Sequence, residues 1–170
     1  MGFFGYSLRP EEYNSKVLYS QGNKKKIISE ISKVKKKVDY IIISLHWSDE
    51  YINLPSILQI SFAHDIIDAG ADIILGHHLH VLQPVEKYKG GIIAYSLGNL
   101  VSEMCSEITT KSMILKSIFN QNQTNKVELI PIYINKDYQP KISTNKEAKK
   151  YPYNVLQTEV VAQFSKKYKI

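Results

Sequence analysis

Apolar residues in the first half of the chain follow two different periods. In residues 23–38 (NKKKIISEISKVKKKV), Ile27, Ile31, Val34 and Val38 fall at helical spacing with lysines on the other faces, which predicts an amphipathic helix. DYIIISLHW, at 39–47, is an isoleucine run without alternation, as expected of a strand covered on both faces in a parallel sheet and ending near His46. Residues 53–70 offer Asn53 as an N-cap, Pro55 in the first turn, apolar Ile57, Ile60, Ala63 and Ile67, and Gly70 as a stop, which predicts a second helix. ADIILG, at 71–76, predicts a second short buried strand. Together these segments form a βαβ unit. The crossover makes its strands parallel and usually near neighbours, so their carboxyl ends share the edge where open α/β sheets place ligands.

The pattern then changes. PVEKYKGGIIAYSLGN reads as a hairpin turning at Lys89, Gly90 and Gly91, and KSMILKSIF and KVELIPIYI as two strands joined by the polar NQNQTN. The second half is thus antiparallel in character, and the fold class is α/β. After a polar stretch near 141–151, Leu156, Val160 and Phe164 predict a last helix with lysines at its carboxyl end, where the helix dipole favours them.

Length and composition narrow the picture. The 170 residues, 44% hydrophobic and 22% charged, fit one globular unit rather than a disordered chain. Apolar runs such as Tyr40 to Ile43 and Ile92 to Tyr95 are far short of the about 20 residues a membrane-spanning helix needs. MGFFGYSLRP lacks the features of a signal peptide, so no export signal is expected in this chain. Cys105 is alone and forms no internal disulfide. The net charge is +6, yet Arg9 is the only arginine among 22 basic residues, and lysine lacks the planar fork that favours base and phosphate recognition. Nucleic acid is therefore set aside as a partner. Lys24 to Lys26 and Lys35 to Lys37 read as a basic patch or as the solvated side of a packed helix, the commoner cause.

The five histidines all lie between His46 and His80. If the chain after Gly76 stays extended, His78 and His80 point to one side and His77 to the other. His46, arriving from the neighbouring strand end, adds a third nitrogen, and three histidines with an open position suit zinc and similar ions. His64, inside the predicted helix, reads as a structural residue, and His77 is left open. Beyond His46, Asp49 and Glu50 could orient a ligating imidazole, act as a base, or be solvated loop charges, the default for Asp49. Trp47 is either a wall of the site or core.

The stretch 39–100, with HWSDEY at 46–51, DAGADIILGHHLHVLQP at 68–84 and YSLGN at 95–99, closely resembles the bacterial CapA family of capsule and poly-γ-glutamate synthesis proteins. The resemblance implies a calcineurin-like metallophosphoesterase fold, a sandwich of two sheets flanked by helices, with a two-metal site at the strand ends. It makes His46, His78 and His80 metal ligands; His77, Trp47 and Asn99 are candidates for residues behind them or for a wall of the site. Relative to the family pattern, Ser48 replaces Gly, Leu79 replaces Pro and Leu100 replaces Phe. The family's earlier G-D, N-x-E and N-N-H motifs are not found in residues 1–45, and MGFFGY resembles the strand that follows N-N-H. On that resemblance residues 1–170 form a single partial domain, the C-terminal half of a complete one.

The resemblance implies a CapA-like protein of capsule or poly-γ-glutamate biosynthesis whose metal-dependent phosphoesterase site is incomplete in this chain. The resemblance implies two divalent transition metals (Mn, Fe or Zn) in a complete member, and one or none is expected here. An anionic polymer or phosphoester is the expected substrate, and the capsule-synthesis machinery the expected partner. Complete members are often membrane-anchored at the cell surface. Two other readings stand beside this one: a non-catalytic assembly subunit or degenerate copy, and a mononuclear zinc hydrolase with Glu50 as its catalytic base.

Overall fold

The computed structural model describes residues 1–9, 20, 22–120 and 123–143. Strand β1 (Gly2–Ser7) is followed by helix α1 (Lys24–Val34), β2 (Ile41–His46), α2 (Ile57–Asp68), β3 (Ile73–His77), and the hairpin β4 (Val85–Tyr88) and β5 (Gly91–Ala94). These strands build one sheet in the order β1-β2-β3-β5-β4, parallel except for the edge strand β4. Strands β6 (Lys111–Asn120), β7 (Gln123–Ile134) and β8 (Pro140–Ile142) form a second, antiparallel sheet.

Two cores explain why the isoleucine run does not alternate. Ile41, Ile43 and Leu45 pack with Ile27, Ile31, Ile60, Ala63 and Ile66 beneath the two helices. On the other face Ile42, Leu75, Ile73, Ile92 and Ala94 meet Met113, Leu115 and Leu129 of the second sheet. Apolar side chains are therefore needed on both faces of β2, β3 and β5. Among the described residues the order of layers is helices, five-stranded sheet, three-stranded sheet.

The helices are shorter than expected, for local reasons. Asn23 caps α1 by accepting a hydrogen bond from Lys26 N at 2.9 Å, and Ile27 and Ile31, fully buried, contribute roughly 1.5–3 kcal/mol each. The α1 lysines thus have a packed apolar face opposite them. In α2 the cap is Ser56, not Asn53: its extended backbone lets Oγ accept from Gln59 N at 3.1 Å, and Pro55 precedes the cap instead of lying in the first turn.

The second half also departs from expectation in two respects. β5 is not confined to its hairpin but pairs parallel to β3 on its other side, so the hairpin belongs to the first sheet. Tyr88 pairs with Gly91, which leaves Lys89 and Gly90 as a two-residue turn, both with positive φ (46 and 87) as such tight hairpins require. The short strand β8 falls where only a polar stretch was expected. The expected helix at Leu156, Val160 and Phe164 lies outside the described residues. No helix among the described residues is long and apolar enough to cross a membrane.

Candidate metal centre

Parallel register decides which side chains meet at the carboxyl edge. Ser7 pairs with His46 and His46 with His77, so β1, β2 and β3 end level. The ladder continues past them: Leu8 N donates to His46 O at 2.9 Å and Trp47 N to His77 O at 3.2 Å. The segments that follow β1, β2, β3 and β5 therefore leave the sheet side by side, and they bring Arg9, Glu50, His78, His80 and Asn99 to one place.

His46, His78 and His80 do come together, with ring centroids 4.4 Å apart for the first pair and 6.1 Å for the second. The route is not the extended one. β3 stops at His77, and His78 and His80 both take left-handed backbone, with φ 97 and 60, so simple alternation no longer sets their directions. Such conformations cost roughly 1–3 kcal/mol in a residue with a Cβ and persist only where the surroundings fix them. Leu79 does so here: its side chain is 0% exposed, and its carbonyl accepts from Tyr51 N at 2.9 Å. The turn hangs on this buried leucine and presents an imidazole on either side. Ser48 and Tyr51 in the facing loop are also left-handed, with φ 65 and 62. At Ser48 that is a conformation glycine takes freely, which fits the glycine of the resembled pattern.

Among the described residues, the trio whose ligand atoms all lie within 4.8 Å of one another is Glu50, His78 and His80. Glu50 thus stands with the possible ligands as well as with the possible bases. His46 is exposed beside His78, with ring centroids 4.4 Å apart, and outside that trio. His77 is half-buried in the row between His46 and the turn. Trp47 belongs to the core, 2% exposed, with its Nε1 donating to Tyr95 O at 3.0 Å. His64 is remote, hydrogen-bonded to Glu86 at 3.0 Å and stacked on Tyr88.

Asn99 fixes the chemistry of His80. Its Nδ2 donates to Thr109 O at 3.1 Å and, more weakly, to His80 O at 3.4 Å, which leaves Oδ1 as an acceptor 2.8 Å from His80 Nδ1. His80 Nδ1 is therefore the donor in this pair, which leaves Nε2 as the nitrogen that could hold a metal.

A metal ion fits these residues. Among the described residues His78 Nε2 is buried and has no hydrogen-bond partner, an arrangement that is costly unless something else occupies the position. The nearest carboxylate oxygen, Glu50 Oε1, is 4.0 Å away, too far for a hydrogen bond but suitable for a shared cation. Imidazole and carboxylate donors together suit zinc, manganese or iron. Burial lowers the pKa of His46, His77 and His78; neighbouring histidines and Arg9 lower His46 further, and Arg9 also lowers His78 against an opposing pull from Glu50. These shifts favour the uncharged ring, the state in which a ring nitrogen can bind a metal.

Two residues of the site were not singled out from sequence. Arg9 Nη1 donates to Ser48 O at 3.4 Å and pairs with Asp49 at 3.6 Å, so the lone arginine stands at this edge. The signal was its position two residues past a strand that ends level with His46. Tyr51 places its ring 6.3 Å from that of His80. Its position inside HWSDEY was the available hint.

Residues 5–104 match the family model described as bacterial capsule synthesis protein PGA_cap. The chain is 43% identical over 104 residues to the PGA biosynthesis protein CapA of Bacillus subtilis, covering 61% of this chain and 27% of that protein. It is 42% identical over 112 residues to the capsule biosynthesis protein CapA of Bacillus anthracis, covering 64% and 27%. A probable polyglutamine synthesis accessory protein of Mycobacterium tuberculosis is 36% identical over 69 residues, 41% of this chain and 18% of that protein. The chain thus spans about a quarter of the length of the Bacillus relatives it matches. The matched span of the family model runs from β1 to the loop beyond Asn99 and contains every side chain of the candidate centre, and the chain belongs to the bacterial capsule synthesis protein family PGA_cap.

Proposed function

We propose that this chain takes part in capsule or poly-γ-glutamate synthesis and that its carboxyl-edge cluster binds one divalent transition metal for phosphoester-type hydrolysis. The names of the Bacillus relatives support the first half of that reading. The single observation that carries the second is the buried, unpartnered His78 Nε2, facing Glu50 and flanked by an imidazole whose tautomer Asn99 sets. His78, His80 and Glu50 would hold the ion, with His46 beside them. When bound, the ion would polarise a phosphoryl oxygen and lower the pKa of water at the site. The chain's own residues orient His80, keep His78 neutral and bring the Arg9 guanidinium near an incoming anion. Sheets on either side of a shared core, with the site at the carboxyl edge, support a calcineurin-like sandwich of which these residues form one part.

The test is metal content. Purified chain is loaded with Mn²⁺ or Zn²⁺, desalted, and compared with His46→Ala and His80→Ala. The reading expects about one ion per wild-type chain and loss of most of it in His80→Ala. Equal content in all three proteins, or none in the wild type, contradicts it. The mononuclear reading, in which Glu50 is a base and not a ligand, is favoured by the exposure of the Glu50 side chain, 42%. It expects Glu50→Gln to abolish phosphodiester turnover while zinc is retained.

A further inference from the structure

The loop that carries Glu50 is closed at its base by two buried glutamines. Ser48 Oγ donates to Gln59 Oε1 at 3.1 Å, Gln59 Nε2 donates to Gln83 Oε1 at 2.9 Å, and Gln83 Nε2 donates to Ile52 O at 2.9 Å. The relay starts and ends on the same loop, two residues before Glu50 and two after it. It passes through α2 and through the segment beyond His80 on the way. Gln59 is 5% exposed and Gln83 2%, although apolar residues would fill those positions without needing partners. Glu50 is itself exposed, while Ser48 and Tyr51 on either side have left-handed backbone. A loop with this much unfavourable backbone geometry keeps it only if its ends are fixed.

We infer that Ser48, Gln59 and Gln83 are positioning residues that hold Glu50 at its distance from His78 and His80. The inference rests on the metal reading above. An amide relay suits this role because neither end titrates: it holds the carboxylate equally well across the pH range in which the histidines change charge. Gln59 and Gln83 also couple the loop to two neighbours, so a shift of α2 or of the His80 segment moves Glu50 with it.

The test is a double-mutant cycle on the full chain, read by Co²⁺ affinity and by the visible absorption of bound Co²⁺. Ser48→Ala removes only the hydroxyl, and Gln83→Leu removes the link to Ile52; circular dichroism establishes that each is folded. Each is expected to weaken Co²⁺ about 10-fold and to shift the Co²⁺ spectrum toward that of Glu50→Gln. Added to Glu50→Gln, either change should weaken Co²⁺ by less than about 2-fold, because the residue through which it acts is already gone. Should Gln83→Leu fail to fold, Ser48→Ala alone decides. Additive losses, or an unchanged affinity and spectrum in the folded single variants, overturn the positioning role and leave the metal reading intact. Folded wild type that takes up no Co²⁺ overturns the metal reading and this inference with it.

Discussion

At the scale of single residues, the hydrogen bond between Asn99 and His80 orients one imidazole of the candidate metal centre. Without an acceptor at Nδ1 the imidazole is free to rotate and to choose the other tautomer. Asn99→Ala should therefore weaken Zn²⁺ binding about 10- to 100-fold while the far-ultraviolet circular dichroism is unchanged, measured by competition with a chromophoric chelator. Unchanged affinity would separate Asn99 from the site. The lowered histidine pKa values give a second expectation. The unfolded chain titrates its histidines near 6.5, and His46, His77 and His78 titrate lower in the fold, so below that pH the unfolded state holds more protons and stability falls as pH falls. Metal-free chain should show a lower urea midpoint at pH 5.5 than at pH 7.5, and His77→Gln, which removes a half-buried titrating ring, should narrow that gap. A gap of the same size in His77→Gln would assign the effect to other groups. The histidines themselves were legible in the sequence as a cluster. Arg9 and Tyr51 were not, because their nearness depends on strand register and on backbone turns that no composition or spacing encodes.

At the scale of elements, the βαβ unit could be read closely because its two periods, an unalternating isoleucine run and a helical stripe, each have one physical explanation. Its ends were harder. Asn53 and Ser56 both have side chains that can cap a helix, and the choice fell to Ser56, whose hydroxyl reaches the amide three residues on. The condition that the segment after β3 stays extended is not met: His78 and His80 take positive φ around a buried Leu79, which sequence alternation does not encode. Gly76 marks the closest approach in this region: a Cβ there would sit 1.9 Å from Tyr95 O and 2.7 Å from Trp47 Nε1, against backbone and the ring hydrogen-bonded to it. Gly76→Ala should cost about 3 kcal/mol, read as a fall in the urea midpoint. A change below about 0.5 kcal/mol would mean that the strand ends are looser than this packing requires.

At the scale of the molecule, two cores on opposite faces of one sheet position the candidate site at its edge. The helices cover one face, the antiparallel sheet covers the other, and the chemistry is left at the edge where four strands release their loops. The two faces were legible at β2 because both had to be apolar. The pairing of β5 with β3 was not, since a hairpin sequence specifies its own partner and is silent about the strand on its other side. The family was legible from HWSDEY, the GHHLH turn and YSLGN, which are the segments that leave this edge. The central claim is that Glu50, His78 and His80 converge on a cation, and X-ray absorption at the zinc edge of chain loaded with one equivalent of Zn²⁺ tests it most directly. The account predicts at least two imidazole nitrogens at about 2.0–2.1 Å, with one lost in His78→Ala. A first shell of oxygen alone, unchanged by that substitution, would contradict it.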